Sequence, residues 1–424
     1  MLTAITGINW GDEGKGRMVD LLSQDYDVVV RYQGGNNAGH TVINERGKFV
    51  LNLLPSGILR GDVVNVMGPG MVIDTAHLAG ETEKLRERGV AVGPENLKIS
   101  DRAAICLPLH PLLDALEEDR LGKNAQGSTR RGIAPAYGDK YLRKALRMGD
   151  LLNLDGMQGA IRDYVDYKNL LVTGAYGAEA VPFAQVWEYL KRAAELFGPY
   201  ICDTGAYLDE AAETGKNILF EAQLGALRDI DFGIYPYSSS STTLAAFAPI
   251  GAGVPGRKLD ASIGVTKAYS TCVGGGPFVT EWGGEEAEAL RKAGNEYGAA
   301  TGRPRRVGAF DLVASRYGCK MQGATAVALT MLDVLSYRED IPVCVAYEID
   351  GKETVRFPYG AALERARPVL KTFPGWRTDI SGVRCKEDLP REALDYVRFI
   401  EASLATPITH VSVGPQRDAY IVME

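Results

Sequence analysis

The chain has 424 residues, 46% hydrophobic and 24% charged, which describes an ordinary globular protein of one large domain or two to three smaller ones. Its net charge of −7 argues against a nucleic-acid partner, because phosphate backbones select a basic face, and no apolar run approaches the roughly 20 residues of a membrane span. Six cysteines without a C-x-x-C pair and four scattered histidines argue against a zinc motif or a disulfide framework and fit a reducing cytoplasm.

Leu2 to Ile8 is apolar and reads as a strand with no basic segment ahead of it, so no signal peptide is expected. Trp10-Gly11-Asp12-Glu13-Gly14-Lys15-Gly16 then forms a glycine loop leading into a helix from Arg17 to Leu22. Such a loop aims backbone N–H groups and the positive end of a helix dipole at an anion, and Lys15 adds a cation. The spacing is not that of an ordinary P-loop, since Asn9 stands where the first glycine should be and Gly16 where Ser or Thr should be. Asp12 inside the loop would repel phosphate unless a metal bridges the two or the acid does chemistry there. Asp27 to Tyr32 reads as a strand buried on both faces, followed by the small-residue loop Gln33-Gly34-Gly35-Asn36-Asn37-Ala38-Gly39-His40-Thr41. Two such loops at neighbouring strand ends mark where open α/β sheets bind ligands, and they make His40 a functional candidate rather than a capping residue.

Val63 to Met67 and Met71 to Ile73 are expected as short strands, followed by a helix from about Thr75 to Arg88. Gly127 to Pro135 is a basic loop, and Lys140, Arg143, Lys144 and Arg147 recur behind it at helical spacing, which suits an anionic ligand or a charged subunit contact. The segment from about Asp150 to Glu213 reads as mostly helical. Asn217 to Ala222 is another buried strand, running into Gln223, the Asp229/Asp231 pair and a hydroxyl-rich run, Ser238 to Thr243, able to cap a helix or donate to a phosphate. A strand from Ile263 to Tyr269, a helix from Glu285 to Lys292 and the loop Gly294 to Arg306 follow. Arg303, Arg305 and Arg306 suit bidentate grip of carboxylates and phosphates. Ala326 to Thr330 is a strand ending at Met331-Leu332-Asp333, Val343 to Phe357 a hairpin turning at Asp350-Gly351, Pro390 to Leu404 a helix and Val411 to Pro415 a final strand. With no repeat, low-complexity segment or linker, the expected fold is one large α/β domain over 1–424 around a mostly parallel sheet, with a P-loop-like phosphate site and a helical insertion at roughly 100–213.

Trp10 to Gly16, Gln33 to Thr41, Asp229 to Tyr237, Gly294 to Arg303 and Leu329 to Leu335 stand in the order of the motifs of the adenylosuccinate synthetase family, which the chain resembles from Leu2 to near Val422. The resemblance implies a cytoplasmic ligase that joins IMP to L-aspartate at the expense of GTP, with Mg2+, acting as a homodimer. It implies two steps: GTP phosphorylates O6 of IMP, then the aspartate amine displaces that phosphate. IMP must lose its N1 proton first, and the family gives the base role to the acid matching Asp12. It gives the charge developing on the GDP bridge oxygen to the histidine matching His40. By the same resemblance Asp12 and the Gly39 carbonyl hold the metal, and Asp12, Asn37, Thr129, Ser239 and Arg303 contact IMP, with Arg143 from a partner subunit. Ala299, Ala300, Thr301, Arg303 and Arg305 close on aspartate. GTP meets Gly11, Asp12, Glu13, Gly14, Lys15, Gly16, Gly39, His40, Thr41 and Arg305, with Met331, Leu332, Asp333, Ser412, Val413, Gly414 and Pro415 around the guanine.

Four positions depart from the family pattern: Asn9 for Gln, Arg130 for Gly, Met331 for Lys, and Gln223 one residue ahead of the family's IMP-contacting Gln, with catalytic rank only if the backbone bulges there. Two other readings are a non-catalytic GTP-binding regulatory protein, which needs neither Asp12 nor the arginine loop, and a sister ligase for a 2-amino purine nucleotide, whose viral relatives lack the acid matching Asp12.

Overall fold

Every residue of the first strand, Leu2–Gly7, is buried, and that places it in the middle of a sheet covered on both faces. The computed structural model describes residues 1–44, 46–298 and 304–423. Ten strands form the central sheet: β1 Leu2–Gly7, β2 Val28–Arg31, β3 Val64–Met67, β4 Leu97–Ser100, β5 Ile201–Cys202, β6 Ile218–Gly225, β7 Ala261–Lys267, β8 Ala326–Thr330, β9 Ile408–Ser412 and β10 Tyr420–Val422. Their order is β10-β9-β8-β7-β1-β6-β2-β3-β4-β5, and every neighbouring pair is parallel except β9 and β10. Because these strands run parallel, the loops after β1, β2, β6, β7, β8 and β9 gather along one edge. That edge is where such sheets hold ligands.

The expected helices form with local support. Thr75–Glu87 is capped by Asp74, whose carboxylate accepts from the His77 N–H at 3.0 Å. Arg391–Leu404 buries Ala393, Tyr396, Val397, Ile400 and Leu404 along one stripe against the β8–β9 side of the sheet. The insertion carries helices Leu109–Leu121, Ile133–Tyr141, Gln158–Leu170, Phe183–Phe197 and Thr204–Glu213, and also supplies β5.

Several expectations are corrected. Lys140, Arg143, Lys144 and Arg147 do not share a helix. Their helix stops at Tyr141, the N–H groups of Lys144 and Ala145 both turn back to the Asp139 carbonyl, and Arg143 takes φ 61 on an exposed turn. The last strand runs Ile408–Ser412 rather than from Val411 to Pro415, and β10 follows it. The hairpin at Asp350-Gly351 exists, with Ile349 opposite Lys352, but its first strand, Asp340–Ile349, also pairs along its other edge with Arg367–Pro374. His40–Asn44 and Gly47–Leu51 form a further hairpin, so the expected loop from Gln33 to Thr41 ends in a strand at His40.

Candidate functional site

The loop after β1 is wound by three left-handed residues, Gly11 (φ 104), Asp12 (φ 60) and Gly14 (φ 96), and delivers the chain into a helix, α1, Lys15–Leu22. Aspartate tolerates this backbone better than most side chains. Glu13 turns inward: its Oε1 accepts from the N–H groups of Asn9 (3.2 Å) and Gly11 (2.7 Å), and its Oε2 is 2.6 Å from Lys15 Nζ. Glu13 is thus a staple for the loop. Asn9 likewise serves the scaffold, accepting from Thr266 Oγ1 (2.7 Å) and donating to Ser315 Oγ (3.0 Å).

The glycine at position 16 has a packing reason, since a Cβ there would lie 2.6 Å from His40 Cβ. The histidine therefore sits on the first turn of α1, beside the phosphate-type loop. Its Nδ1 is hydrogen-bonded to Glu221 Oε1, and Glu221 in turn accepts from the Ser56 N–H (2.7 Å) and Oγ (2.6 Å). Burial lowers the His40 pKa, and Glu221 opposes without reversing it. Burial raises Glu221, but His40, Arg31 and Ser56 outweigh it and keep the carboxylate ionised. With Nδ1 given to Glu221, Nε2 is the nitrogen left for a ligand.

Asp12 Oδ2 is 3.0 Å from Arg305 Nη2, and Arg305 Nη1 is 2.8 Å from Glu296 Oε2. Glu296 also pairs with Lys267 Nζ at 2.6 Å and accepts from the Tyr269 hydroxyl. Burial pushes the Asp12 pKa up, but Arg305, Lys267, Lys15 and His40 together outweigh it, so the carboxyl stays ionised below its usual range. Among the described residues no group of three or more His, Cys, Asp or Glu could hold a metal by itself. One ionised carboxylate beside a phosphate-type loop suits Mg2+, which takes most of its oxygen ligands from phosphates and water.

At the end of β8, Met331 takes φ 60 and opens the short helix Leu332–Tyr337. Leu332 and Val413 are fully buried. Asp333 is half-buried; burial raises its pKa, with Arg17 opposing and Asp379 adding to the rise. Arg17 Nη1 donates to Ser412 Oγ (2.7 Å), and its guanidinium lies 4.4 Å over the Tyr420 ring. Gly414 is buried and Pro415 exposed.

Thr129 is exposed and Ser239 half-buried, its Oγ 3.1 Å from Ser241 Oγ. Arg143 lines a cavity of ≈ 160 Å³ with Arg102, Lys140 and Arg147. Gln223 is fully buried, and its side chain binds the loop at Gly35 and Asn37. Ala299, Ala300, Thr301 and Arg303 lie outside the described residues. Residues that sequence reading missed are Glu221, Lys267 and Arg17, because only tertiary contacts give them a place; Glu221 had one signal, an acid inside an otherwise apolar strand.

The family model of adenylosuccinate synthetase matches residues 4–421. The chain belongs to that family. It is 43% identical over 422 residues to adenylosuccinate synthetase from Magnetococcus marinus, covering 99% of this chain and 98% of that one. It is also 45% identical over 422 residues to adenylosuccinate synthetase 2 from Pseudoalteromonas translucida, covering 99% of each. Among solved structures, fully ligated adenylosuccinate synthetase from Plasmodium falciparum superposes with a TM-score of 0.94 at 34% identity, over 100% of this chain and 99% of that one. Succinoaminodeoxyadenylate synthetase of cyanophage S-2L, bound to dGMP and dATP, shares the fold at TM-score 0.62 and 20% identity, over 99% and 95% of the two chains. As an adenylosuccinate synthetase the chain is a GTP-dependent ligase that joins IMP and L-aspartate in AMP biosynthesis, and neither the regulatory nor the 2-amino purine reading is favoured. No helix among the described residues is long and apolar enough to cross a membrane.

Proposed function

We propose that Asp12 is the general base of the ligation. It takes the N1 proton of IMP, O6 attacks the γ-phosphorus of GTP, and the bond to the β–γ bridging oxygen breaks as GDP leaves. The amine of L-aspartate then attacks C6, and inorganic phosphate departs with O6. His40 Nε2 serves the bridging oxygen, since the charge of the triphosphate favours the protonated ring that burial alone disfavours. Asp12 and the Gly39 carbonyl would hold Mg2+, which supplies positive charge to the phosphates. Gly11, Gly14, Lys15, Gly16 and Thr41 line the phosphate end of GTP, and Met331, Asp333, Ser412, Gly414 and Pro415 the guanine end.

Arg305 bridges Asp12 and Glu296, and a carboxylate of L-aspartate is the anion it exchanges for Asp12. Ala299, Ala300, Thr301 and Arg303 complete that subsite by resemblance, while Asn37, Thr129, Ser239 and Arg303 serve IMP. Arg143 serves the IMP of a second copy in a homodimer; it sits on an exposed turn beside Tyr141 and Leu142, which are 75% and 58% exposed.

The observation that carries this reading is an ionised aspartate inside a phosphate-type loop. Asp12→Asn is nearly isosteric and removes the base, so kcat should fall by about 10²–10⁴ with the melting temperature unchanged. Activity within a few fold of wild type would remove Asp12 from the mechanism.

A further inference from the structure

Strand β6 does not keep register to its end: Ile5 pairs with Glu221 but Gly7 pairs with Gly225, so β6 bulges beside β1, and Leu224 takes φ 63 there. Glu221 and Gln223, two residues apart, both reach the loop that leaves β2, the first at His40 and the second at Gly35 to Asn37. Gln223 Oε1 accepts from the Gly35 N–H at 3.0 Å, and Nε2 donates to the Gly35 carbonyl at 3.1 Å, with the Ala38 carbonyl at 3.4 Å. These backbone partners allow one orientation of the amide, because an N–H needs the oxygen and the carbonyls need the nitrogen. Gly34 is built around this side chain, since a Cβ there would fall 1.7 Å from Gln223 Oε1. The main chain of Gln223 is fixed as well, its carbonyl accepting from Gln33 Nε2 at 2.6 Å, and Gln33 Oε1 accepts from Ser241 Oγ at 3.0 Å.

The same Nε2 donates to Asn37 Oδ1 at 3.1 Å. With Oδ1 engaged, the Asn37 amide is held so that its Nδ2 donors, not its acceptor, remain for a ligand. We infer that Gln223 is a positioning residue that sets the polarity of Asn37, turning it into a donor for an anionic or acceptor group of IMP. The inference rests on the reading of Asn37 as an IMP contact. It differs from a general structural role, because the effect reaches substrate through one side-chain amide.

Steady-state kinetics and thermal melting of Gln223→Met, Asn37→Ala, Asn37→Asp and the double variant Gln223→Met/Asn37→Ala test it. Gln223→Met keeps length and burial but cannot donate. It should raise the KM for IMP about 10- to 100-fold, the loss of one hydrogen bond to a charged group, while kcat and the KM for GTP stay within about threefold. Asn37→Ala should raise the KM for IMP equally, and the double variant should go no further. Asn37→Asp, which still accepts from Gln223 but has no donor, should bind IMP at least as poorly as Asn37→Ala. This variant lies in a half-exposed loop, and IMP affinity near wild type in it would overturn the inference even if Gln223→Met does not fold. An unchanged KM in Asn37→Ala would overturn the assignment of Asn37 to IMP. A raised KM there, with Asn37→Asp near wild type, with Gln223→Met near wild type, or with additive losses in the double variant, would overturn the positioning role of Gln223.

Discussion

A carboxylate at Asp333 can accept from both N1–H and the 2-amino group of guanine, whereas adenine offers an unprotonated N1 and no 2-amino group. Its half-burial and raised pKa mean that leaving it unpaired is costly. Sites of this kind reject an analogue lacking the bonded group by up to about 10⁴–10⁵. Met331, where the family has Lys, brings a thioether that packs on any π-surface and is touched by the Tyr269 hydroxyl at 3.5 Å. Comparing kcat/KM for GTP and ATP, Asp333→Asn should erode the preference for GTP, and Met331→Lys should change the KM for GTP modestly at the same preference. Asp12, Lys15 and His40 draw attention in the sequence by residue type, because an acid, an amine or an imidazole is unusual in a plain glycine turn. Direction of burial is not announced. Glu13 and Gln223 both lie in site motifs, and only the fold shows that each side chain is hydrogen-bonded to a neighbouring loop.

The strand–loop–helix from β1 into α1 and the capped helix Thr75–Glu87 were readable because apolar period, glycine and cap residues agree over a dozen positions. Arg367–Pro374 was not, since it is largely exposed, lacks an apolar face and is held to Asp340–Ile349 by its backbone. The displaced Gln223 raised the question of a bulge in β6, and the pairing with β1 answers it, since register shifts there between Ile5 and Gly7. Beside the β-strand Asp340–Ile349, Asp311 caps the helix Leu312–Gln322, accepting from the Ala314 N–H at 3.0 Å and the Tyr347 hydroxyl at 2.6 Å. Burial pushes its pKa from 3.8 up to about 6. Between these values the folded chain keeps a proton that the unfolded chain has released, so stability falls as pH rises through the window, and the cost of the buried charge is complete above it. Asparagine caps as well and accepts the same bonds. Asp311→Asn should therefore stabilise the protein at pH 8 by ~3 kcal/mol in urea unfolding and by little at pH 4. Equal or lower stability than wild type at pH 8 would contradict the raised pKa.

The order of the strands in the sheet differs from their order in the chain, and this brings residues from 12 to 412 to one edge. A sequence read in order gives the motifs but not their distances, which is why the Asp12–Arg305 contact and the Arg17–Ser412 bond appear only after folding. Arg143 raises a question beyond one chain, because it stands with other cations on an exposed turn. If it completes the neighbour's IMP site, then mixing inactive Arg143→Leu with inactive Asp12→Asn should restore part of the activity, since one site in each mixed dimer has both residues. No recovery, with subunit exchange verified, would place Arg143 in its own subunit's site or outside it. The central claim, that O6 of IMP is a nucleophile toward GTP, is tested most directly with IMP carrying ¹⁸O at position 6. Turnover with GTP and L-aspartate should release that label in inorganic phosphate, one ¹⁸O per phosphate, as read by mass spectrometry. Phosphate without the label would mean that O6 never bonds to phosphorus and would contradict the account.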